Sequence, residues 1–187
     1  MDRFFKRENM IYAFTGAQST GKTTLLTLCK AFYDHKGYKF VDEVTREVKR
    51  RGYSINNNAK NYNDTQLQIL DHHITNLKKT GKWILDRCIV DGYVYTKYFY
   101  ENNKVSEDTY LLVKDAFEKY TDWYTVIFYT DPKDVKLVDD GERSTDVKFR
   151  ERIIEIYEEI DIDKFKNVVK LSGSVSERIH TIKNFLL

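Results

Sequence analysis

Proline is nearly absent from this chain, which carries Pro132 alone, and its eight glycines are dispersed rather than clustered. With so little of either residue there is no flexible linker to divide the chain and no low-complexity tract or repeat, so one domain spanning residues 1–187 is expected. Cysteine is scarce too. Cys29 and Cys88 lie far apart and have no partners at metal-ligand spacing, so neither a disulfide framework nor a zinc site is indicated, and a reducing cytoplasm is the simplest setting. Neither sign of charge dominates, since 31 Lys+Arg oppose 29 Asp+Glu for a formal +2. No global field draws the chain onto a long nucleic acid or an anionic membrane, and any recognition of phosphate must be local. Long apolar runs are missing as well. The opening MDRFFKRENM lacks the apolar core of a signal peptide, and no later stretch approaches the roughly 20 apolar residues of a membrane span. A cytoplasmic protein without a membrane partner is the expectation.

Enough apolar residues are present, at 41%, to build a core. Met10 to Thr15 reads as a strand and Lys22 to about Tyr33 as a helix, with a tight loop between them. Tyr38 to Val41 is a second short strand, and Glu43 to Arg51 is a charged helical stretch. Asp64 is placed to cap a helix that runs through Leu67, Leu70, Ile74 and Leu77 and stops at Gly81. Trp83 to Leu85 reads as a strand closing on Asp86; Tyr93 to Tyr100 and Tyr110 to Tyr120 read as helices. Strands at Tyr124 to Tyr129 and Val168 to Leu171 and a helix from Ser174 to Phe185 complete the pattern. Strands alternating with longer helices imply crossover connections and a parallel sheet covered on both faces, an α/β fold.

Between the first strand and helix lies Gly16-Ala17-Gln18-Ser19-Thr20-Gly21-Lys22-Thr23, followed by Thr24, and this satisfies the eight-position Walker A, or P-loop, pattern in its proper context. Glycines let the loop turn and bring backbone N–H groups against phosphate oxygens, and the helix N-terminus adds donors and the positive end of its dipole. Lys22 is positioned to reach the β- and γ-phosphates, and the Thr23 hydroxyl to ligate Mg²⁺.

Asp86 stands at the C-terminal end of a strand, where ligand groups gather in parallel sheets, and could hold Mg²⁺ through water; Arg87 beside it suits phosphate recognition. Asp42 and Glu43 end the neighbouring strand. Either could accept a proton from an acceptor hydroxyl, and Asp42 reads equally well as a helix cap. Between Asp131 and Arg150 the charged stretch Lys136 to Arg150, which carries Arg143 and Arg150, is either a solvated run or a segment that folds over the phosphates.

GAQSTGKTTL, the EVTRE segment from Glu43, LDR ending at Arg87 and DDGERSTDVKFR ending at Arg150 together resemble the kinase domains of NadR-type ribosylnicotinamide kinases and related P-loop ATPases. Asp86-Arg87 followed by Asp91-Gly92-Tyr93-Val94-Tyr95 is also similar to thymidylate kinases. The resemblance implies a three-layer α/β/α P-loop NTPase sandwich with a five-stranded parallel sheet, a helical lid at about 134–150, an N-terminal extension over 1–9, and ATP with Mg²⁺. It places Glu43, Arg46, Arg87, Asp91 and Tyr95 at the acceptor, Asp86 and Arg87 beside the transferring phosphoryl group, Arg143 and Arg150 in the lid, and Ser172 and Gly173 beneath the adenine. Val44 and Thr45 depart from both patterns, which have an aromatic or a proline after the glutamate, so the acceptor stays open between nucleoside and nucleoside monophosphate. The implied activity is a small-molecule kinase. A polynucleotide 5′-kinase and a regulatory nucleotide-binding ATPase module with little transfer are the alternatives, and a homo-oligomer is left open.

Overall fold

The computed structural model describes residues 9–42, 44–52, 62–134 and 147–186. Five parallel strands form one sheet among these residues, in the order β2-β3-β1-β4-β5. They are β1 (Asn9–Thr15), β2 (Tyr38–Val41), β3 (Gly81–Asp86), β4 (Val126–Thr130) and β5 (Val168–Leu171). The helices are α1 (Lys22–Tyr33), α2 (Val44–Arg50), α3 (Asn63–Leu77), α4 (Ile89–Glu101), α5 (Glu107–Tyr120), α6 (Val147–Glu159) and α7 (Val175–Lys183).

Period-two alternation explains how the strands divide the core. Ile11 and Ala13 of β1, Leu85 of β3, and Ile127 and Tyr129 of β4 pack with α3, α4, α5 and α6. Tyr12, Phe14, Ile84, Val126, Phe128 and Leu171 point the other way, onto Leu25, Leu26 and Cys29 of α1 and Ile179 and Ile182 of α7. Both faces are buried, so the central strands carry continuous apolar runs, as parallel sheets require. β1 lies in the middle, with Phe14 opposite Asp86 on one side and Phe128 on the other. Because every strand runs the same way, residues that follow β1, β3, β4 and β5 collect at one rim.

The expected helix and strand boundaries shift in ways that local chemistry explains. α3 begins at Asn63, with Tyr62 rather than Asp64 at its N-cap. Asp64 falls in the first turn, where its charge complements the helix dipole instead of capping. α4 begins at Ile89, ahead of the expected Tyr93, because the Asp91 carboxylate accepts from the Cys88 N–H at 3.0 Å. α6 was not anticipated as an element, since the charged residues before it read as loop. Its stripe of Phe149, Ile153, Ile156 and Tyr157 has helical spacing and is buried. Arg152 holds α6 to α4 through Glu101 at 2.7 Å.

No helix among the described residues is long and apolar enough to cross a membrane. Both cysteines are free and buried. The N-terminal residues 1–8 and most of the expected lid, 135–146, lie outside the described residues.

Candidate functional site

The segment between β1 and α1 makes a tight cradle whose shape depends on its glycines. Gly16 has φ +136°, and a Cβ there would sit 2.5 Å from Thr130 Oγ1 and 2.9 Å from Thr130 O. Gly21 has φ +88° and forms the N-cap of α1, where no side chain caps the helix. Ser19 also adopts positive φ, at 56°. Thr20 Oγ1 donates to Ala17 O at 2.9 Å and lies 2.6 Å from Thr130 Oγ1, which donates to Thr15 O at 3.0 Å. Lys22 is 3% exposed and folds over the loop, its ammonium donating to Gly16 O at 2.7 Å and Ala17 O at 2.6 Å. An unobstructed helix N-terminus beside a buried ammonium is a place for a polyanion.

Asp86, also 3% exposed, accepts a hydrogen bond from the Thr23 hydroxyl at 3.2 Å. Register explains the meeting, since β1 and β3 are neighbours and each ends at the rim. Arg87 follows with φ +85°, an uncommon backbone for a side chain of this size. Its guanidinium donates to Asp91 Oδ1 at 3.0 Å and lies over the Tyr95 ring, 5.2 Å from the centroid. Tyr95 in turn donates to Gln18 Oε1 at 3.3 Å, which ties α4 to the loop, while Gln18 Nε2 is buried with no hydrogen-bond partner. Asp91, read from the sequence as an acceptor-side residue, is buried with its oxygens directed inward. Oδ2 accepts from the Cys88 N–H and from the Thr15 hydroxyl, and Oδ1 from Arg87 and the Tyr157 hydroxyl.

Of the arginines expected in the lid, Arg150 reaches the loop from the first turn of α6. Its Nε donates to Gln18 O at 3.4 Å and its Nη2 to Pro132 O at 3.3 Å. Arg143 and Glu43 lie outside the described residues, as does the side chain of Arg46. Asp42 is exposed and paired with Lys30 of α1 at 2.5 Å. Ser172 and Gly173 form the turn before α7, where Gly173 takes φ +81° and its carbonyl accepts from Arg178.

Arg178 was not singled out from the sequence, yet it locks the rim together. It is 2% exposed and donates to Gly173 O at 3.0 Å, Thr20 O at 2.8 Å and Asp131 O at 3.2 Å. The signal for it was an arginine within the apolar stripe of Val175, Ile179 and Ile182. Tyr157 was missed for the opposite reason, because an aromatic at a core position of an amphipathic helix reads as packing. Its hydroxyl accepts from Gly16 N at 3.1 Å. Burial raises the Tyr157 pKa well above the ordinary tyrosine value, with the Asp91 carboxylate adding to the effect, so the phenol stays protonated. His73 of α3 packs against Gly92, and burial pushes its imidazole down to about 4, with Arg87 and His72 adding to the shift and Asp91 opposing it.

A family model described as AAA domain matches residues 11–178. Solved structures share the fold at low identity. Deoxyadenosine kinase from M. mycoides, with the products dCMP and a flexible dCDP bound, is 20% identical with a TM-score of 0.66, covering 94% of this chain and 97% of that one. The same enzyme with bound dCTP is 19% identical with a TM-score of 0.63. NadR protein in complex with NR is 19% identical with a TM-score of 0.68; the match covers 98% of this chain but 53% of NadR, so this chain spans about half of that protein. A search of curated proteins returns no match. With this loop, the strand order 2-3-1-4-5 and a family match over residues 11–178, this chain belongs to the AAA domain family and has the α/β P-loop kinase fold.

Proposed function

We propose that this protein is a kinase that transfers the γ-phosphoryl group of ATP, with Mg²⁺, to a small nucleoside or nucleoside monophosphate. The observation that carries the proposal is the meeting, at one rim, of the Gly16–Thr24 cradle, the Thr23–Asp86 pair and Arg87. The residues present fit a nucleoside triphosphate. Gly16 admits no side chain, the N-terminus of α1 has no side-chain cap, and the Gln18 amide keeps an unpartnered buried donor in the loop. They also fit Mg²⁺, because a hydroxyl and a carboxylate are hard oxygen donors of the kind the ion takes alongside phosphate oxygens. When bound, the ion would neutralise charge on the β- and γ-phosphates.

The protein's own contribution is placement and charge. Lys22 is held at the loop to meet phosphate oxygens, and the backbone N–H groups fix their orientation. Arg87, held by Asp91 and lying over the Tyr95 ring, suits the transferring group or an acceptor phosphate. Asp91 serves by holding Arg87. Arg150 adds positive charge at Gln18 as α6 closes the rim. Glu43 is assigned to orient an acceptor hydroxyl, by resemblance to NadR-type kinases, whereas the partner of Asp42 is Lys30. The nucleotides named for the deoxyadenosine kinase structures, and NR for NadR, support a nucleoside-like acceptor.

A panel of nucleosides and nucleoside monophosphates, with ribosylnicotinamide and deoxynucleosides among them, incubated with ATP and Mg²⁺ tests the assignment. Turnover of one class is expected, and ATP binding with no transfer to any member would refute it. Lys22→Ala should lower transfer on the order of 10²-fold or more, the scale for removing one donor to developing charge. Full activity in that variant would take Lys22 out of the site.

A further inference from the structure

We propose that the Tyr157 hydroxyl is a positioning group that couples the phosphate loop to Arg87, an inference that rests on the kinase reading above for its catalytic consequence. The Tyr157 oxygen lies 3.1 Å from Gly16 N, 3.0 Å from Thr15 Oγ1 and 3.1 Å from Asp91 Oδ1. Gly16 N–H is a donor, so Tyr157 accepts there and gives its own proton to the carboxylate. Thr15 gives its proton to Asp91 Oδ2 at 2.8 Å, which leaves the contact between the two hydroxyls without a proton of its own. Every donor in this buried set points toward Asp91 or receives its orientation from a group that does. A change in one bond therefore alters the others.

Three parts of the site meet in that set. Thr15 and Gly16 open the phosphate loop. Arg87 is held by Asp91 Oδ1, the same oxygen that receives the Tyr157 proton. Tyr157 itself belongs to α6, whose Arg150, seven residues earlier on the same helical face, donates to Gln18 O in the loop. α6 thus touches the cradle by charge at its start and by a hydroxyl near its end. The Arg87 backbone, at φ +85°, holds a sparsely populated conformation that the surrounding bonds must maintain. Without the Tyr157 hydroxyl, Gly16 N–H loses its acceptor, Asp91 Oδ1 keeps Arg87 alone, and the guanidinium can shift toward the vacated side of the carboxylate. The ring of Tyr157 would remain packed, 5.3 Å from that of Tyr129, so the hydroxyl can be removed with little loss of core.

Tyr157→Phe separates the hydroxyl from the ring. Loss of one buried hydrogen-bond acceptor should weaken binding of a fluorescent ATP analogue with Mg²⁺ by about fivefold. In steady-state transfer to the acceptor found in the panel, kcat should fall by about tenfold with a smaller change in acceptor KM, because the displaced Arg87 acts mainly on the transferring group. The decisive comparison repeats the substitution on an Arg87→Ala background. If Tyr157 acts through Arg87, its removal there costs less than about twofold in kcat; the same tenfold loss on both backgrounds would overturn the proposal. Transfer and nucleotide affinity within twofold of the parent, accompanied only by a lower Tm, would overturn it as well and leave Tyr157 a packing residue. If the parent turns over no acceptor, the kinase reading fails by itself, and nucleotide affinity still decides this one: a fivefold loss supports the coupling to the loop and an unchanged Kd refutes it. Should Tyr157→Phe not fold, Tyr157→Met also removes the hydroxyl while an adaptable apolar side chain fills the space of the ring, and it is read by the same measurements.

Discussion

His73 shows how burial sets a charge state at the level of one residue. Its imidazole is lowered from the ordinary 6.5 to about 4, so the folded protein holds it neutral while the unfolded chain protonates it below pH 6.5. The unfolded state binds more protons in the window between those values, and stability rises with pH across it. At pH 5 the penalty is about 2 kcal/mol, and it is absent above pH 7. A His73→Gln variant should therefore lose less of its Tm than the parent when both are moved from pH 7 to pH 5, by about 4 to 8 °C for a chain of this size. Equal losses would show that His73 does not titrate in that window. Nothing around His73 in the sequence announces this, because burial and the approach of Arg87 and Gly92 come from different elements. The loop contacts of Lys22 were legible, since Gly16 and Ala17 are its neighbours in the chain as well as in space.

At the scale of elements, Arg178 ties α7 to the loop. Arg178 spreads three bonds over the carbonyls of Gly173, Thr20 and Asp131, which belong to the turn before α7, the phosphate loop and the end of β4. Arg178→Ala should cost about 2 to 4 kcal/mol, the scale for breaking a buried charged hydrogen-bond set. Arg178→Lys should recover little, because a point ammonium cannot reach three carbonyls arranged around a planar fork. Thermal unfolding of the two variants checks this, and a lysine variant as stable as the parent would show that charge alone suffices. The helix α6 gives the complementary lesson. Its apolar spacing from Phe149 to Tyr157 is present in the sequence, but the charged residues interleaved with it, from Lys148 to Glu159, resemble a solvated run until the sheet supplies a face for the stripe to cover. α4 was placed late for a related reason: the Cys88 and Asp91 cap that starts it depends on a carboxylate that also serves β1 and α6.

For the whole molecule, ligand binding and folding are linked, because the loop joins β1 to α1 and is bonded to β4, α6 and α7. ATP with Mg²⁺ at about 100 times its Kd should stabilise the fold by about 2.7 kcal/mol and raise Tm by about 5 to 10 °C. Gly16→Ala should abolish that rise, since its Cβ would press on the Thr130 hydroxyl and carbonyl and displace the loop. A full ligand-dependent shift in the variant would refute the tight approach. The α/β class, the parallel sheet and the position of the phosphate loop followed from the chain itself, because hydrophobic period and a glycine pattern are local properties that survive in one dimension. Strand order, the burial of Asp91 and the convergence of Thr15, Arg87, Tyr157 and Arg178 around the loop were decided by the tertiary structure alone. These residues are distant in sequence, and only packing the crossover helices onto both faces of the sheet brings their polar groups within hydrogen-bonding distance, where each must find a partner because water is excluded.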